Sequence, residues 1–271
     1  MMWSALLRLI DRWSPALVAA LFLAVWELLV GAFDVPVFIL PAPSAIGESF
    51  VDDGPMLLSA LRVTIALTLK ALFFAVVAGA ALAALFVQSR AVERALFPYA
   101  VALQVTPVVA IAPLILIWVG IDHAGRAVVI LASIVAFFPV LSNTAAGLRA
   151  VDPDLDALFR LYGASRWQRL RRLQAPSAIP YFINGLKVAA GLALIGVIVA
   201  EFVAGSGETA GLAWRIIEAG NRLEIARMFA ALVLLSLTGL ALYAALTWAE
   251  RRALARWSGR ALSPAASPPG A

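Results

Sequence analysis

Three ionisable side chains interrupt long apolar stretches of this sequence: Glu27, Lys70 and Glu201. A charged group inside a membrane is costly, so such residues face a protein interior or a water-filled path and often take part in moving ions or protons. One hypothesis from these residues is a secondary transporter driven by protons or sodium. The alternatives are structural: Glu27 hydrogen-bonded inside a helix bundle, and Lys70 extended to the membrane surface or held in an ion pair.

The sequence offers little for enzyme chemistry. It has no cysteine, and its one histidine, His123, stands beside Asp122 in a short turn, which is a weak basis for a metal site or a proton relay. The nucleotide-binding pattern G-x-x-x-x-G-K-[ST] is absent from the sequence, and no glycine-rich loop precedes either lysine. We therefore expect this chain to be neither an enzyme nor the holder of a cofactor or metal.

The composition is that of a membrane protein. Hydrophobic residues make up 63% of the 271 residues and charged residues 14%, and the mean hydropathy is +0.95. These values exclude an ordinary soluble domain. The net charge of +5 comes from arginines that flank the apolar runs, as topology signals do, so we expect no nucleic-acid partner.

Apolar runs of about 20 residues predict an all-α, polytopic membrane protein with six transmembrane helices. A short cytoplasmic or interfacial segment, 1–14, precedes the membrane domain, 15–257, and a disordered tail, 258–271, follows it. The predicted spans are 15–33, 62–87, 95–119, 126–147, 181–204 and 228–249. In the first outer loop, Ser44 is expected to cap a short helix over 45–51.

The third predicted span contains three prolines, Pro98, Pro107 and Pro113. Proline frees backbone carbonyls, which a membrane tolerates where other helices or a water-lined path satisfy them, and transporters often place their path at such broken helices. A packing kink is the alternative for any one of the three. The candidate path residues are Lys70, Gln104, Thr106, Pro107, Asn143 and Glu201.

A charged segment, 152–176, stands out between the apolar runs and predicts two short helices joined at a glycine. Asp152 is a good N-cap and Pro153 suits the first helical position. Gly163 should end the first helix, because glycine adopts the left-handed conformation without a Cβ penalty. We call the two helices the first and second arms of the elbow.

The second arm should begin with a capping box formed by Ser165 and Gln168 and should end at Pro176. Apolar side chains at helical spacing give each arm one apolar face. They are Leu155, Leu158, Phe159 and Tyr162 in the first arm and Trp167, Leu170 and Leu173 in the second. A solvated loop whose arginines only fix the membrane orientation remains an alternative.

The distribution of arginines orients the predicted spans. With both termini in the cytoplasm, the inner segments hold fourteen arginines and the outer loops four. Positive charge favours the cytoplasmic side, so we expect both ends and the elbow to lie there.

The elbow resembles the cytoplasmic coupling loop of ABC importer permeases, because Gly163-Ala164-Ser165 is followed by Pro176 at the spacing of that loop. That loop begins with Glu-Ala-Ala, whereas this chain has Ala157-Leu158-Phe159 with Asp156 one place early. The salt bridge of the motif's glutamate is therefore not carried over.

Two further stretches, Leu40-Pro41-x-Pro43-Ser44 and the run from Gln104 to Trp118, resemble the nitrate, sulfonate, taurine and bicarbonate branch of these permeases. The string Arg160-Leu161-Tyr162-Gly163-Ala164-Ser165 looks closest to members that handle thiamine-pyrimidine precursors.

The resemblance implies a type I ABC importer permease fold with cytoplasmic coupling helices, in a bacterial cytoplasmic membrane. It implies a path for a small polar or anionic organic solute, two copies of a separate ATPase subunit that binds ATP and Mg²⁺, a second permease copy in a homodimer, and an extracytoplasmic binding protein. The residues expected to couple to the ATPase are Leu155, Asp156, Leu158, Phe159, Gly163, Ala164, Ser165, Trp167 and Pro176.

Overall fold

The structure is a computed structural model that describes the backbone of residues 2–204 and 210–258, and the side chains of 14, 16–203 and 210–252. Helices fill these ranges and no strand occurs in them, which confirms the all-α prediction. The helices are α1 Met2–Ala32, α2 Pro43–Asp52, α3 Gly54–Gln88, α4 Arg90–Val105, α5 Val108–Val119, α6 Ala124–Arg149, α7 Pro153–Leu161, α8 Arg166–Arg169, α9 Ala175–Ala204, α10 Leu212–Asn221 and α11 Ile225–Ser258. Apart from Ser258, the predicted tail lies outside the described residues.

Four helical segments are long and apolar enough to cross a membrane: Gly54–Gln88, Ile121–Arg149, Arg166–Val203 and Ile225–Arg252. The pair α4–α5 makes a fifth if it counts as one span, and the shorter apolar helix Ala16–Ala32 lies where the first span is predicted. The described helices are thus compatible with six spans without establishing that number. The backbone of α1 is helical across residues 14 and 15, so no break marks the predicted start of the membrane domain.

The third predicted span is broken, as its prolines indicate. α4 and α5 meet at a bend of 101°. The break lies at Thr106 and Pro107, where Pro107 precedes the first residue of α5 and has no N–H to leave unpaired. Pro98 and Pro113 lie inside α4 and α5. Only one of the three prolines therefore interrupts the span.

The chain divides into two compact units, and the first comprises the residues up to Arg62 together with Ala210–Leu235. Within this unit, Asp53 follows α2 and accepts hydrogen bonds from two side chains. The Arg227 guanidinium lies 2.8 Å from its carboxylate, and the Ser49 hydroxyl donates to it over 3.0 Å. The hydrogen bond from Arg227 outweighs the opposing effect of burial and lowers the pKa of Asp53.

Glu27 has a structural partner in the same unit. Ser44 donates its hydroxyl and its backbone N–H to the two carboxylate oxygens of Glu27, over 2.7 and 3.0 Å. The prediction that Ser44 caps the short helix was wrong, because Pro43 takes the first helical position and Ala42 precedes it. The carboxylate of Glu27 instead satisfies a free N–H in the first turn of α2, where the helix dipole favours negative charge.

The second unit contains the rest of α3, helices α4–α9 and the part of α11 from Ser236 onward. Its interior is lined largely by alanine, valine and leucine, and α6 supplies many of the fully buried residues. Lys187 of α9 forms an ion pair with Glu250 of α11 over 2.6 Å, with both side chains largely buried. This pair fixes the two helices by charge in addition to apolar packing.

Glycines bring α6 and α9 into close contact. A Cβ placed on Gly185 would lie 2.8 Å from the Cβ of Asn143, and one on Gly196 would lie 2.8 Å from the Cα of Ala132. A Cβ on Gly191, by contrast, would have no neighbour within 4 Å. Gly185 and Gly196 therefore allow the close packing of α6 and α9, whereas Gly191 lies outside the contact.

This difference gives a matched test of the packing. Gly196→Ala should lower the free energy of unfolding by about 1–3 kcal/mol, because the added methyl overpacks the contact with Ala132. Gly191→Ala should leave it unchanged or raise it by up to about 1 kcal/mol, because alanine favours the helix. Thermal unfolding of the purified variants in the same detergent measures both effects. Equal midpoints for the two variants would show that α6 and α9 do not meet at Gly196.

Candidate functional site

The first arm of the elbow is the helix α7, and its ends form as predicted. The Asp152 carboxylate accepts a hydrogen bond from the backbone N–H of Asp154 over 2.8 Å, and Pro153 is the first helical residue. At the other end, Gly163 has a φ of +70°, in the left-handed region. The N–H of Gly163 bonds the carbonyl of Arg160 over 3.0 Å and the N–H of Ala164 bonds that of Phe159 over 2.9 Å. This pair of bonds is a Schellman motif, which requires a residue such as glycine at its centre.

The second arm begins with the predicted capping box. The Ser165 hydroxyl accepts a hydrogen bond from the backbone N–H of Gln168, and the Gln168 side chain accepts one from the N–H of Ser165. The arm does not end at Pro176, however, and that prediction was wrong. It continues through a π turn, Leu170–Gln174, into α9. The π turn already interrupts the regular hydrogen-bond ladder just before the proline, so the helix accommodates Pro176.

Asp156 joins the two arms. Its carboxylate accepts from Nε of Arg160 over 3.0 Å on the same helix and from Nε of Arg169 over 2.9 Å on the second arm; a second guanidinium nitrogen of Arg169 also contacts it. Asp156, one position before the place of the motif's glutamate, therefore forms salt bridges with an arginine of each arm. We call the Asp156–Arg169 pair the elbow clamp.

The clamp is present at physiological pH. Burial alone would raise the pKa of Asp156, but the hydrogen bonds and charges of Arg169 and Arg160 outweigh it, and the pKa lies below its ordinary value. A lowered carboxyl pKa stabilises the folded state above the unfolded-state value, about 3.9, and the contribution is lost as pH falls through the lowered value. The elbow clamp should thus not titrate between pH 6 and 8.

The apolar face of α7 is exposed. Leu155 and Leu158 are each about half exposed, Leu161 and Tyr162 more so, and the helix has no buried residue. Phe159 is partly shielded. An apolar helix face that no part of the unit covers is suited to contact with another protein.

The second arm differs from the first in its packing. Trp167 is 66% exposed, whereas Leu170 and Leu173 are buried, Leu170 in a core cluster with Phe86, Leu141 and other residues of the second unit. The prediction that Leu170 and Trp167 share one apolar face of the second arm was wrong. The position of Leu170 in the π turn, which changes the spacing of side chains around the helix, directs it inward.

Two contacts tie the elbow's surroundings to the unit. Arg166 donates to the backbone carbonyl of Gln88, at the end of α3, over 3.4 Å. Arg149 at the end of α6 pairs with Glu93 at the start of α4 over 2.6 Å. In the sequence these arginines indicated only the membrane orientation. Their long-range partners, and that of Arg169, carried no sequence signal beyond an excess of charge.

The structure places the six path candidates in different settings. Gln104 and Pro107 are exposed, and the Thr106 hydroxyl donates to the carbonyl of Ala102 at the α4–α5 break. Asn143 donates to the carbonyl of Pro139 and accepts from the side chain of Asn184 in α9.

The remaining two candidates also differ. Glu201 is fully buried. Lys70 is exposed and lines a cavity whose wall includes none of the other five candidates. The structure does not join the six into one site.

Comparisons with known proteins agree with the resemblance. Residues 71–254 match the family described as binding-protein-dependent transport system inner membrane component. The chain is 31% identical to the formylaminopyrimidine transport permease protein ThiX of Halalkalibacterium halodurans, over 86% of this chain and 91% of that protein. It is 28% identical to the nitrate import permease protein NrtB of Synechocystis sp., over 84% of each chain.

A solved structure shares the fold. It is described as an amino acid ABC transporter with histidines, and its chain superposes with a TM-score of 0.63 at 23% identity, covering 76% of this chain and 97% of that chain. The family match spans more than half of the sequence. The chain therefore belongs to the permease subunits of bacterial ABC transporters, which are multi-pass inner-membrane transport components, not enzymes, and which work with a separate ATPase and a substrate-binding protein.

Proposed function

We propose that the elbow is the part of this permease that grips the ATPase and transmits its movement to the membrane helices. The observation that carries the proposal is the apolar face of α7, on which Leu155, Leu158 and Tyr162 are exposed and which the elbow clamp holds on the unit. An amphipathic helix that seats its apolar face in a groove is a common form of protein recognition. The comparisons give no support to the alternative of an ion-coupled transporter that uses Glu27, Lys70 and Glu201.

The second arm provides the connection to the membrane. Because α8, the π turn and α9 form one continuous helix, Arg166–Val203, a force applied to the elbow acts directly on α9. Leu170 anchors the start of this helix in a core cluster of the second unit and Leu173 is buried as well, so the arm moves with the unit. A proline-terminated second arm, as the sequence predicted, would have placed a loop between the elbow and the span.

The proposed assembly contains two ATPase subunits with ATP and Mg²⁺, a homodimer of this permease and an extracytoplasmic binding protein. One copy of the chain has one elbow, and an ATPase with two nucleotide sites requires two. In this arrangement the elbow and both termini lie in the cytoplasm, as the arginine distribution predicts. The solute is a small polar or anionic organic compound, in keeping with the relative named for formylaminopyrimidine.

Charge on the apolar face should abolish the contact with the ATPase. In Leu155→Asp/Leu158→Asp, two carboxylates would have to be desolvated in the groove, so we expect co-purification of the ATPase to fall at least tenfold. The control is Val51→Asp, which places the same charge on another exposed apolar side chain, in α2. Affinity purification of the tagged permease, with the bound ATPase quantified, measures both. Full ATPase recovery with the double variant would refute the docking face.

Transport should depend on the backbone conformation of the turn between the arms. Gly163→Val forces a β-branched residue into the left-handed region, at a cost of about 1–3 kcal/mol, although no neighbouring atom would obstruct the side chain. We expect a folded permease that binds ATPase but loses most transport. Gly163→Asn should retain transport, because asparagine tolerates the left-handed conformation. Solute-stimulated ATP hydrolysis and uptake in proteoliposomes measure the coupling, and wild-type uptake by Gly163→Val would exclude this role.

A further inference from the structure

A cavity of about 750 Å³ in the second unit is not accounted for by the elbow. It lies between α3, the turn that precedes α6 and the first half of α6. Its volume falls in the range of about 300–1,000 Å³ that small-molecule sites have. The arginine distribution predicts that the α5–α6 turn is on the outer side of the membrane, away from the elbow.

One side of the cavity is cationic. Lys70 of α3 and Arg126 of α6 both line it, together with His123 and Asp122 of the turn. Within the part of the chain that the structure describes, neither Lys70 nor Arg126 forms an ion pair, so Asp122 does not neutralise them by direct contact. The amino end of α6 adds the positive end of its helix dipole next to Arg126.

The rest of the wall is apolar. Leu67 and Phe74 flank Lys70 on one face of α3, and Val129, Ile130 and Ile134 follow Arg126 along α6. The one hydroxyl there, of Ser133, donates to backbone carbonyls of α6 and α3 and so is already used. A small inorganic ion would leave the apolar wall of the cavity without a partner. An anion with an apolar body would contact both the cationic side and the apolar wall.

We propose that this cavity binds an amphipathic organic anion, whose carboxylate, sulfonate or phosphate group pairs with Lys70 and Arg126 while its apolar body lies against α3 and α6. This rests on the proposed function, because it narrows the solute of the permease from polar or anionic organic compounds to organic anions with an apolar body. The same chemistry occurs in the headgroup and chains of an anionic lipid. The test therefore includes both a dissolved organic anion and an anionic lipid.

The experiment uses the full chain in phosphatidylcholine nanodiscs without ATPase, with empty nanodiscs as background. The probes are naphthalene-2-sulfonate, the neutral 2-naphthol and inorganic sulfate, and binding is measured by fluorescence or by its displacement. We expect the sulfonate to bind at least tenfold more tightly than either of the others. Lys70→Met and Arg126→Met should each weaken it about tenfold, the loss expected for a charge-assisted contact. Lys70→Arg should retain binding.

The control variant is Arg62→Met, which removes an exposed cation of the same helix outside the cavity and should change affinity less than twofold. Size-exclusion profiles and melting curves identify variants that fail to fold, and Lys70→Arg supplies a folded comparison. Equal affinity for the sulfonate and 2-naphthol, or unchanged affinity in both methionine variants, would overturn the proposal. So would loss of sulfonate binding when phosphatidylglycerol is added, since the cavity would then hold a lipid. Because no ATPase is present, none of these results depends on the elbow.

Discussion

The ion pair between Asp156 and Arg169 is the contact on which the geometry of the elbow depends. The helix α7 has no buried residue, so hydrophobic packing within the unit does little to hold it. What fixes its direction is the Schellman turn at Gly163 and the elbow clamp across that turn. Both partners of the clamp are about 20% exposed, which shields the pair from solvent without the full desolvation penalty of a buried one. An apolar face can then stay exposed and oriented.

The rest of the second unit connects the elbow rigidly to the long helices. Its helices pack through alanine and glycine, and α6 and α9 approach so closely at Gly185 and Gly196 that a methyl group does not fit. Close-packed interiors transmit displacement with little compression. The bend at Pro107, in contrast, leaves α4 and α5 as two separate helices. The unit thus combines a stiff helix pair with one interrupted span.

Local sequence signals predicted the elbow well where its geometry is local. The Asp152 cap, the left-handed Gly163 and the capping box of Ser165 and Gln168 each depend on residues within four positions, and all three are present. The errors arose at an irregular helical turn and where distant contacts decide. Pro176 lies inside a helix because a π turn precedes it, and Ser44 bonds Glu27, seventeen positions away.

The clamp itself illustrates the same limit. Thirteen positions separate Asp156 from Arg169, and the sequence offered Arg166, Arg171 and Arg172 of the same segment as equally plausible partners across the turn. The angle of the turn at Gly163 determines which of these arginines meets Asp156. For the candidate path, the composition indicated membrane helices and a broken span, but which side chains face a common space depends on packing that no periodicity encodes.

Hydrogen exchange of the α7 amides tests the clamp most directly. If Asp156 and Arg169 hold this helix, Arg169→Met should speed exchange about three- to tenfold, as expected for loss of about 1 kcal/mol, and Asp156→Asn at least as much. The double variant should exchange no faster than Asp156→Asn, and Arg171→Met, which removes an exposed arginine of the same arm, should match the wild type. Unchanged exchange in Arg169→Met, or additive effects in the double variant, would contradict the account.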